Sequence, residues 1–161
     1  MIRKVLPSDA ANIADIYNYY ICNTIITFED KPVGESEIRM RIDKIGKKGY
    51  PYIVYEENNS LVGYAYVDNW RERPAFGITL ETSIYLNNLC MHNGIGTKLY
   101  RELIELSRKA GIHSLIGVIS LPNAESIELH KKMGFERIGT FKKVGLKFDT
   151  LIDVDFWQLS L

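Results

Sequence analysis

The segment "NNLCMHNGIGTKLY", residues 87–100, has the composition that points most directly to ligand chemistry. Gly94 and Gly96 stand between a strand-like run and a helix-like run. At such a junction, unpaired backbone N–H groups and the positive end of the helix dipole can bind an anion such as a pyrophosphate. A plain glycine-eased connection between strand and helix fits the same spacing, so both interpretations stay open.

Two nucleotide-binding motifs are excluded at this loop. A dinucleotide fingerprint would need a third glycine where Leu99 stands. A P-loop would need Gly-Lys-Ser/Thr, and the chain has Gly96-Thr97-Lys98. A two-residue hairpin turn at Asn93-Gly94 is also excluded, because the residues that follow have helical periodicity.

The strand before the loop carries the candidate carboxylate. Its alternation puts apolar residues and Thr82 on one face of residues 78–86 and places Glu81 on the other face, beside Thr79, Ser83 and Tyr85. A carboxylate at this place could act as a base near a ligand held by the loop. A solvated strand face is the structural alternative.

Hydrophobic periodicity predicts the elements that must position these residues. An opening strand "IRKVL" is followed by a helix that contains Ile13 and Tyr20, a second helix over 35–47, and a β-hairpin in "YIVYEENNSLVGYAYV". A third helix begins after the glycine loop and stops at Gly111, and "HSLIGVIS" is a buried strand. A fourth helix has Asn123 as its N-cap and Gly134 at its end, and the remainder is strand-rich. The predicted fold class is mixed α/β with antiparallel hairpins.

Composition narrows the function. The chain has 161 residues, 46% of them hydrophobic, which predicts one domain over 1–161. Twenty basic and twenty acidic residues balance, so no net charge favours nucleic acid or an anionic membrane surface, and a small-molecule partner is expected. No apolar run suggests a membrane span or a signal peptide, so we expect a cytoplasmic protein. Cys22 and Cys90 predict reduced thiols and show no metal-ligand spacing.

Several motifs together resemble a known family. "GIGTKLY" after a strand and "LPNAESIELHKKMGF" after a second strand are similar to the GNAT superfamily of N-acetyltransferases. A narrower resemblance runs almost end to end: "ETSIYL", "WRERPAFG" and "VGLKFDTLIDVDFWQ" resemble phosphinothricin and methionine sulfoximine N-acetyltransferases. The resemblance implies a single domain whose twisted, mostly antiparallel sheet splays where acetyl-CoA inserts, with helices on both faces. It also implies a homodimer.

The resemblance implies three sets of cofactor contacts. The loop backbone would bind the pyrophosphate of acetyl-CoA, the strand backbone would pair with the pantetheine amides by β-augmentation, and the helix cap would bond the pantetheine arm. The family's usual basic or amide side chains before the loop glycines are replaced by Met91 and Asn93, which leaves backbone N–H groups as the main donors. The expected cofactor-binding residues are Ile84, Tyr85, Leu86, His92, Asn93, Gly94, Ile95, Gly96, Thr97, Lys98 and Asn123.

Acetyl transfer to an amine needs a base for the ammonium, donors for the developing oxyanion, and in some enzymes an acid for the departing thiolate. The resemblance assigns the base to Glu81, directly or through water. It assigns the acid to His130, which helical spacing places on an inward face, where a buried core histidine is the alternative.

The acceptor would be a small amine with a nearby carboxylate. Arg71 and Arg73 could bind that carboxylate in a bidentate contact, with Arg73 preferred from the family motif, or they could lie on a charged surface loop. Phe28 would line the pocket, or it is simply core. Lys142, Lys143 and Lys147 fit either attraction of coenzyme A phosphates or a solvated edge strand. A protein or peptide N-acetyltransferase and a non-catalytic acyl-CoA sensor remain alternative functions.

Overall fold

Helices and strands follow one another along the chain in the predicted order. The computed structural model describes residues 1–90 and 94–161. The described helices are α1 (Ala10–Asn23), α2 (Glu35–Lys47), α3 (Ile95–Lys109) and α4 (Ala124–Lys132). The strands are β1 (Ile2–Lys4), β2 (Tyr52–Glu57), β3 (Ser60–Asn69), β4 (Thr79–Leu86), β5 (Ser114–Ser120), β6 (Glu136–Lys147) and β7 (Thr150–Ser160).

All seven strands belong to one open sheet in the order β1-β2-β3-β4-β5-β7-β6. Neighbouring strands are antiparallel except β4 and β5, which are parallel. A parallel pair needs a crossover connection, and α3 supplies it between these two strands. The mixed α/β fold, with a mostly antiparallel sheet, is therefore confirmed.

Helices cover both faces of the sheet, as expected. The first face buries α1 and α2 against side chains such as Val54 and Tyr64. The opposite face buries α3 against Ile53, Leu80 and Leu115. Adjacent residues on β2 thus face opposite cores, because strand side chains alternate between the two sides of a sheet.

Most predicted boundaries agree with the structure. The predicted span of α2 is the observed one, and the β2–β3 hairpin turns at Asn58 and Asn59, both with positive φ. The strand expected over 78–86 begins one residue later, and Ile78 is exposed. The opening strand is shorter than predicted, because Pro7 begins a 3₁₀ turn that leads into α1.

The two helices that follow the candidate site residues begin with different caps. Gly94 is the N-cap of α3 and has φ of +70°, a left-handed conformation that glycine adopts without steric cost. The Asn123 side chain accepts a hydrogen bond from Ser126 N at 3.1 Å, which confirms the predicted cap of α4.

Candidate active site

The sheet splits between its two parallel strands. The β4–β5 ladder contains only three residue pairs, Thr79–Ser114, Leu80–Leu115 and Glu81–Ile116. Beyond them β4 continues to Leu86 beside β3, and β5 continues beside β7, without pairing with each other. The predicted splay of the sheet is therefore present, and Glu81 lies at its closed end.

A cleft of about 480 Å³ opens from this closed end. It contains Glu81, His130, Asn123 and Phe28, which come from a strand, two ends of a helix and a loop far apart in sequence. The full lining is Tyr17, Ile26, Thr27, Phe28, Glu29, Tyr66, Glu81, Thr82, Ser83, Ile84, Tyr85, Val118, Ile119, Ser120, Asn123, Ser126 and His130. The structure thus brings together both candidate catalytic residues and one candidate acceptor residue.

A second cleft, of about 390 Å³, lies at the glycine loop. Its lining includes the predicted cofactor residues Ile84, Leu86, Gly94, Ile95, Gly96, Thr97 and Asn123. It shares Ile26, Ile84, Asn123 and Ser126 with the cleft at Glu81, so the two are continuous. Together they form one channel from the start of α3 to the closed end of the split.

The start of α3 is shaped for a ligand to approach its backbone. The first N–H groups of an α-helix have no acceptor within the helix. A Cβ at Gly96 would lie 3.5 Å from the Leu86 side chain and 3.6 Å from the Leu129 side chain, at ordinary van der Waals distance from two residues that line this cleft. The backbone N–H of Lys98 already donates to Gly94 O at 3.1 Å.

Three of the predicted site residues lie outside this channel. The Lys98 side chain lies over the Tyr55 ring, 5.9 Å from its centroid, and Lys98 is absent from the lining of both clefts. Arg71 stacks on Trp70 at 4.9 Å, and Arg73 precedes a 3₁₀ turn; both are exposed and neither lines the channel. His92 and Asn93 lie outside the described residues.

Glu81 is a carboxylate in the channel whose proton affinity is raised. Burial raises its pKa, and the negative charge of Asp68 raises it further. Asp68 stands directly opposite Glu81 on β3. No hydrogen bond or ion pair joins the Glu81 side chain to another of the described residues. A half-buried carboxylate with a raised pKa is a better proton acceptor for an ammonium group than an exposed glutamate is.

The two neighbouring carboxylates, Glu29 and Asp68, each have a cationic partner. Glu29 accepts two hydrogen bonds from Arg41, at 2.6 and 3.0 Å, and this contact lowers the pKa of Glu29. Asp68 pairs with Lys48 at 2.6 Å. Glu81 is therefore the lining carboxylate whose proton affinity is raised, and Glu29 is the one whose proton affinity is lowered.

His130 is buried, with 4% of its surface exposed, and both ring nitrogens have partners. Nδ1 lies 2.7 Å from the carbonyl oxygen of Ser126, and Nε2 lies 2.9 Å from the Tyr100 hydroxyl. Since a carbonyl only accepts, Nδ1 carries the proton and Nε2 accepts from Tyr100. Burial lowers the pKa of His130, so the ring is neutral at pH 7.

A buried lysine at the end of β6, an edge strand of the sheet, holds the loop between α1 and α2. Lys147 Nζ donates to the carbonyl oxygens of Thr27, at 2.7 Å, and Tyr20, at 3.4 Å. Next to it, the Phe28 ring covers Gly145 so closely that a Cβ there would overlap the ring. These contacts fix the wall of the channel that carries Phe28 and Glu29.

Sequence reasoning missed several lining residues. Tyr17 and Tyr66 have strand or helix periodicity that predicts core, and Glu29 lies in a segment without periodicity. Lys132 lines the glycine-loop cleft, although its helical spacing gives no sign of a ligand. The one signal that was available is the helical i, i+4 spacing between Ser126 and His130, which puts both on one face of α4.

Comparisons with known proteins agree with this geometry. The family profile of the acetyltransferase (GNAT) domain matches residues 2–155. An L-methionine sulfoximine/L-methionine sulfone acetyltransferase of Salmonella typhimurium is 34% identical over 160 residues, which are 99% of this chain and 94% of the relative. A phosphinothricin N-acetyltransferase of Streptomyces viridochromogenes is 32% identical over 157 residues, 98% of this chain and 85% of the relative.

Solved structures give the same result. A phosphinothricin acetyltransferase of Sinorhizobium meliloti in complex with acetyl-CoA superposes with a TM-score of 0.97, at 34% identity, over 100% of this chain and 88% of the other. An acetyltransferase of Salmonella typhimurium with its cofactor acetyl-CoA superposes with a TM-score of 0.98, at 34% identity. The superposition covers 100% of this chain and 93% of the other. The chain therefore belongs to the GNAT family of acetyltransferases.

Proposed function

We propose that this protein transfers the acetyl group of acetyl-CoA to the amine of a small amino-acid-like acceptor, of the phosphinothricin or methionine sulfoximine type. The observation that carries the proposal is Glu81, a carboxylate at the closed end of the split sheet with raised proton affinity and no cationic partner among residues 1–90 and 94–161. The named relatives that match nearly the whole chain act on acceptors of this class, which supports the choice of substrate. We assign the activity to one domain over residues 1–161.

The channel fits acetyl-CoA by its hydrogen-bonding groups. The edge of β4 from Thr82 to Leu86 has no strand partner on the β5 side and can pair with amide groups. The backbone at Gly94, Ile95, Gly96 and Thr97, with His92 and Asn93 before it, would hold the pyrophosphate. Asn123 lies where both clefts meet and would bond the arm between them. Acetyl-CoA, when bound, supplies a thioester whose carbonyl carbon an amine can attack.

Glu81 would act as the base. An acceptor amine arrives mostly as the ammonium ion and has no lone pair for attack until a proton leaves. Glu81 accepts that proton, directly or through one water molecule. Its partial burial raises its pKa above that of an exposed glutamate, which is the direction that a base for an ammonium group needs.

His130 is proposed as the group beside the departing thiolate. It lines the cleft that contains Glu81 and Asn123. Because Nδ1–H donates to Ser126 O, release of that proton would require His130 to break this hydrogen bond. His130 as the acid therefore stays a prediction that depends on a change at Ser126.

The acceptor carboxylate is assigned to Arg73, with Arg71 as the second candidate. Both are exposed in the segment between β3 and β4, and β4 carries Glu81. An arginine fork binds a carboxylate through two parallel hydrogen bonds. Phe28, held over Gly145, would contact the apolar part of the acceptor.

We further propose that the protein forms a homodimer through the β6–β7 hairpin. Large apolar side chains on this hairpin are more than half exposed: Ile138, Phe141, Val144, Leu146, Phe148 and Leu151. Exposed large apolar side chains gathered on one hairpin are typical of an interface. Leu146→Asp should shift the protein from dimer to monomer in light scattering, whereas Met40→Asp, a change to an exposed apolar residue on α2, should not. A dimer unaffected by Leu146→Asp would contradict this interface.

Among the described residues no helix is long and apolar enough to span a membrane. The described part of the chain also contains no group of three His, Cys, Asp or Glu side chains arranged for a metal ion. The proposed reaction needs none. We propose a cytoplasmic location, where acetyl-CoA and free amino acids meet.

The test is thiol release from acetyl-CoA in the presence of methionine sulfoximine, phosphinothricin, other amino acids, polyamines and a peptide with a free N-terminus. The matched control is N-acetylated methionine sulfoximine, which has no amine to react. Release with the first two acceptors and none with the control is the expected result. Release with the peptide alone would favour a protein acetyltransferase. Coenzyme A binding with no release for any amine would favour a sensor, and either outcome would overturn the proposal.

A further inference from the structure

A chain of buried side-chain hydrogen bonds begins where the β4–β5 ladder ends. Thr82 is the first residue of β4 beyond the paired segment, and its Oγ1 lies 3.3 Å from Ile116 O, on the last paired residue of β5. The same Oγ1 lies 2.7 Å from the Tyr100 hydroxyl on α3. Tyr100 then reaches His130 Nε2 at 2.9 Å. Side-chain hydrogen bonds thus link β4, α3 and α4 at the point where the backbone pairing between β4 and β5 ends.

The direction of donation along these hydrogen bonds follows from the last one, between His130 and Ser126. His130 Nδ1 must donate to the Ser126 carbonyl, so Nε2 has only a lone pair and requires a donor. The Tyr100 hydroxyl supplies that donor, so its oxygen accepts the single hydroxyl proton of Thr82 at 2.7 Å, and the longer 3.3 Å contact from Thr82 Oγ1 to Ile116 O is then without a proton. The order is Thr82 to Tyr100 to His130 to Ser126, from the strand that carries Glu81 to the first turn of α4.

Packing leaves the His130 ring little freedom to move. Phe135 and Tyr100 contact it edge-on, with ring centroids 5.0 and 5.2 Å away, and Trp157 lies at 6.4 Å. Gly117 lies so close to the ring that a Cβ there would overlap Nε2. The ring position is therefore set by packing, and its protonated nitrogen is set by Ser126 and Tyr100.

Tyr100 itself is not a source of protons. Its side chain is fully buried, with 0% exposed, and burial raises the pKa of its hydroxyl. No solvent contact could return a proton to it after donation. Its contribution is the fixed direction of one hydrogen bond.

We propose that Tyr100 is a positioning residue for acetyl transfer, whose hydroxyl holds His130 as the neutral Nδ1–H tautomer and ties α4 to the deep end of β4. The part of this inference that concerns acetyl transfer rests on the proposed function. Tyr100 contacts neither cleft in the structure, so its effect on the reaction passes through His130 and Ser126. A displacement of about 1 Å at a reacting group can cost on the order of 100-fold in rate.

The first experiment reads the tautomer without any ligand. Nitrogen-15 NMR of the whole protein at pH 7 should show His130 as a single neutral Nδ1–H ring, assigned by its absence in His130→Gln. Tyr100→Phe, which removes only the hydroxyl, should change the Nε2 signal. An Nε2–H tautomer or an imidazolium in the wild type, or an unchanged spectrum in Tyr100→Phe, would overturn the inference.

The second experiment asks whether Tyr100 acts through His130. Tyr100→Phe should lower kcat about 10- to 100-fold, with little change in the KM of the acceptor. In a His130→Phe background the same change should have no further effect, because coupled residues are not additive. Multiplicative losses in the double variant would show that Tyr100 acts independently and would overturn the inference.

The control is Ser107→Ala on the same helix. Ser107 is also fully buried, and its hydroxyl donates a hydrogen bond to Leu103 O at 2.8 Å. If Ser107→Ala lowers kcat as much as Tyr100→Phe does, the effect comes from a loss of α3 stability. That result would overturn the positioning role of Tyr100. If no amine is acetylated, the proposed function fails, while the NMR result still decides whether Tyr100 fixes the His130 tautomer.

Discussion

Replacement of Glu81 by glutamine tests the catalytic assignment most directly. Glutamine keeps the size and the hydrogen-bonding oxygen of the side chain but cannot accept the acceptor's proton near pH 7. General base catalysis contributes about 10²- to 10⁴-fold. Glu29 and Asp68 are held in ion pairs with Arg41 and Lys48, so neither is available as a substitute base.

The expected loss in kcat is therefore in the upper part of that range, about 10³-fold, equivalent to about 4 kcal/mol of activation free energy. The assay is steady-state thiol release at saturating acceptor and acetyl-CoA. In the wild type the rate should fall as the pH drops through the raised pKa of Glu81, and the variant should lack this dependence. Glu57→Gln, at an exposed carboxylate at the end of β2, is the matched control and should keep full activity.

The same variant should gain stability, and the sign follows from linkage. The pKa of Glu81 is higher in the folded protein than its ordinary value, so the folded state holds the proton to a higher pH than the unfolded chain does. Ionisation of Glu81 then lowers the free energy of unfolding as the pH rises between these two pKa values. Glu81→Gln should melt at a higher temperature than the wild type at pH 7, and the difference should shrink at about pH 4, near the ordinary pKa of glutamate.

Two results would refute this reasoning. A kcat within about threefold of the wild type would remove Glu81 from the role of base, since even the low end of the expected range is about 10²-fold. A melting temperature below that of the wild type at pH 7 would contradict the burial of an uncompensated carboxylate. Coenzyme A affinity should be the same in both proteins by calorimetry, because Glu81 lines the cleft at the closed end of the split and not the cleft at the glycine loop.

Two further changes test the acceptor and the imidazole. Arg73→Ala should raise the KM of an amino-acid acceptor about 10- to 100-fold, since hydrogen bonds to charged groups contribute about 1.5–3 kcal/mol. In the same steady-state assay the KM of a polyamine, which has no carboxylate, should stay constant. Equal effects on both acceptors would contradict the carboxylate contact. Gly117→Ala should lower both kcat and the melting temperature, because the added methyl group would overlap the His130 ring; a variant with wild-type kinetics and calorimetry would show that the ring can move without consequence.

Local sequence patterns predicted the elements well, because each depends on neighbouring residues. The span of α2, the β2–β3 hairpin and the cap at Asn123 all follow from periodicity or turn chemistry within a few residues. The resemblance to the GNAT superfamily, rather than any local pattern, predicted the splayed sheet. It also singled out Glu81 and His130.

Contacts between distant residues could not be predicted in this way. Lys147 is separated from Thr27 by 120 positions, and the alternatives considered from sequence were a phosphate-attracting or a solvated lysine; it is buried instead. Tyr100 and His130 lie 30 positions apart on two helices, and their helical spacing gives only the inward face of each. Which carbonyl or hydroxyl an inward side chain meets is decided by the packing of the helices onto the sheet.

The short β4–β5 ladder has a consequence for how the protein opens. On one side of it β1 to β4 form an antiparallel meander, and on the other side β5, β7 and β6 form a second antiparallel group. Each group is stabilised largely by its own hydrogen bonds, so each can behave as a cooperative unit in native-state hydrogen exchange. A ligand that bridges the split binds both units only when they are joined, and it therefore stabilises their union by mass action. A ligand bound in the split would therefore stabilise the sheet at the β4–β5 ladder, where the fewest backbone hydrogen bonds join the two strand groups.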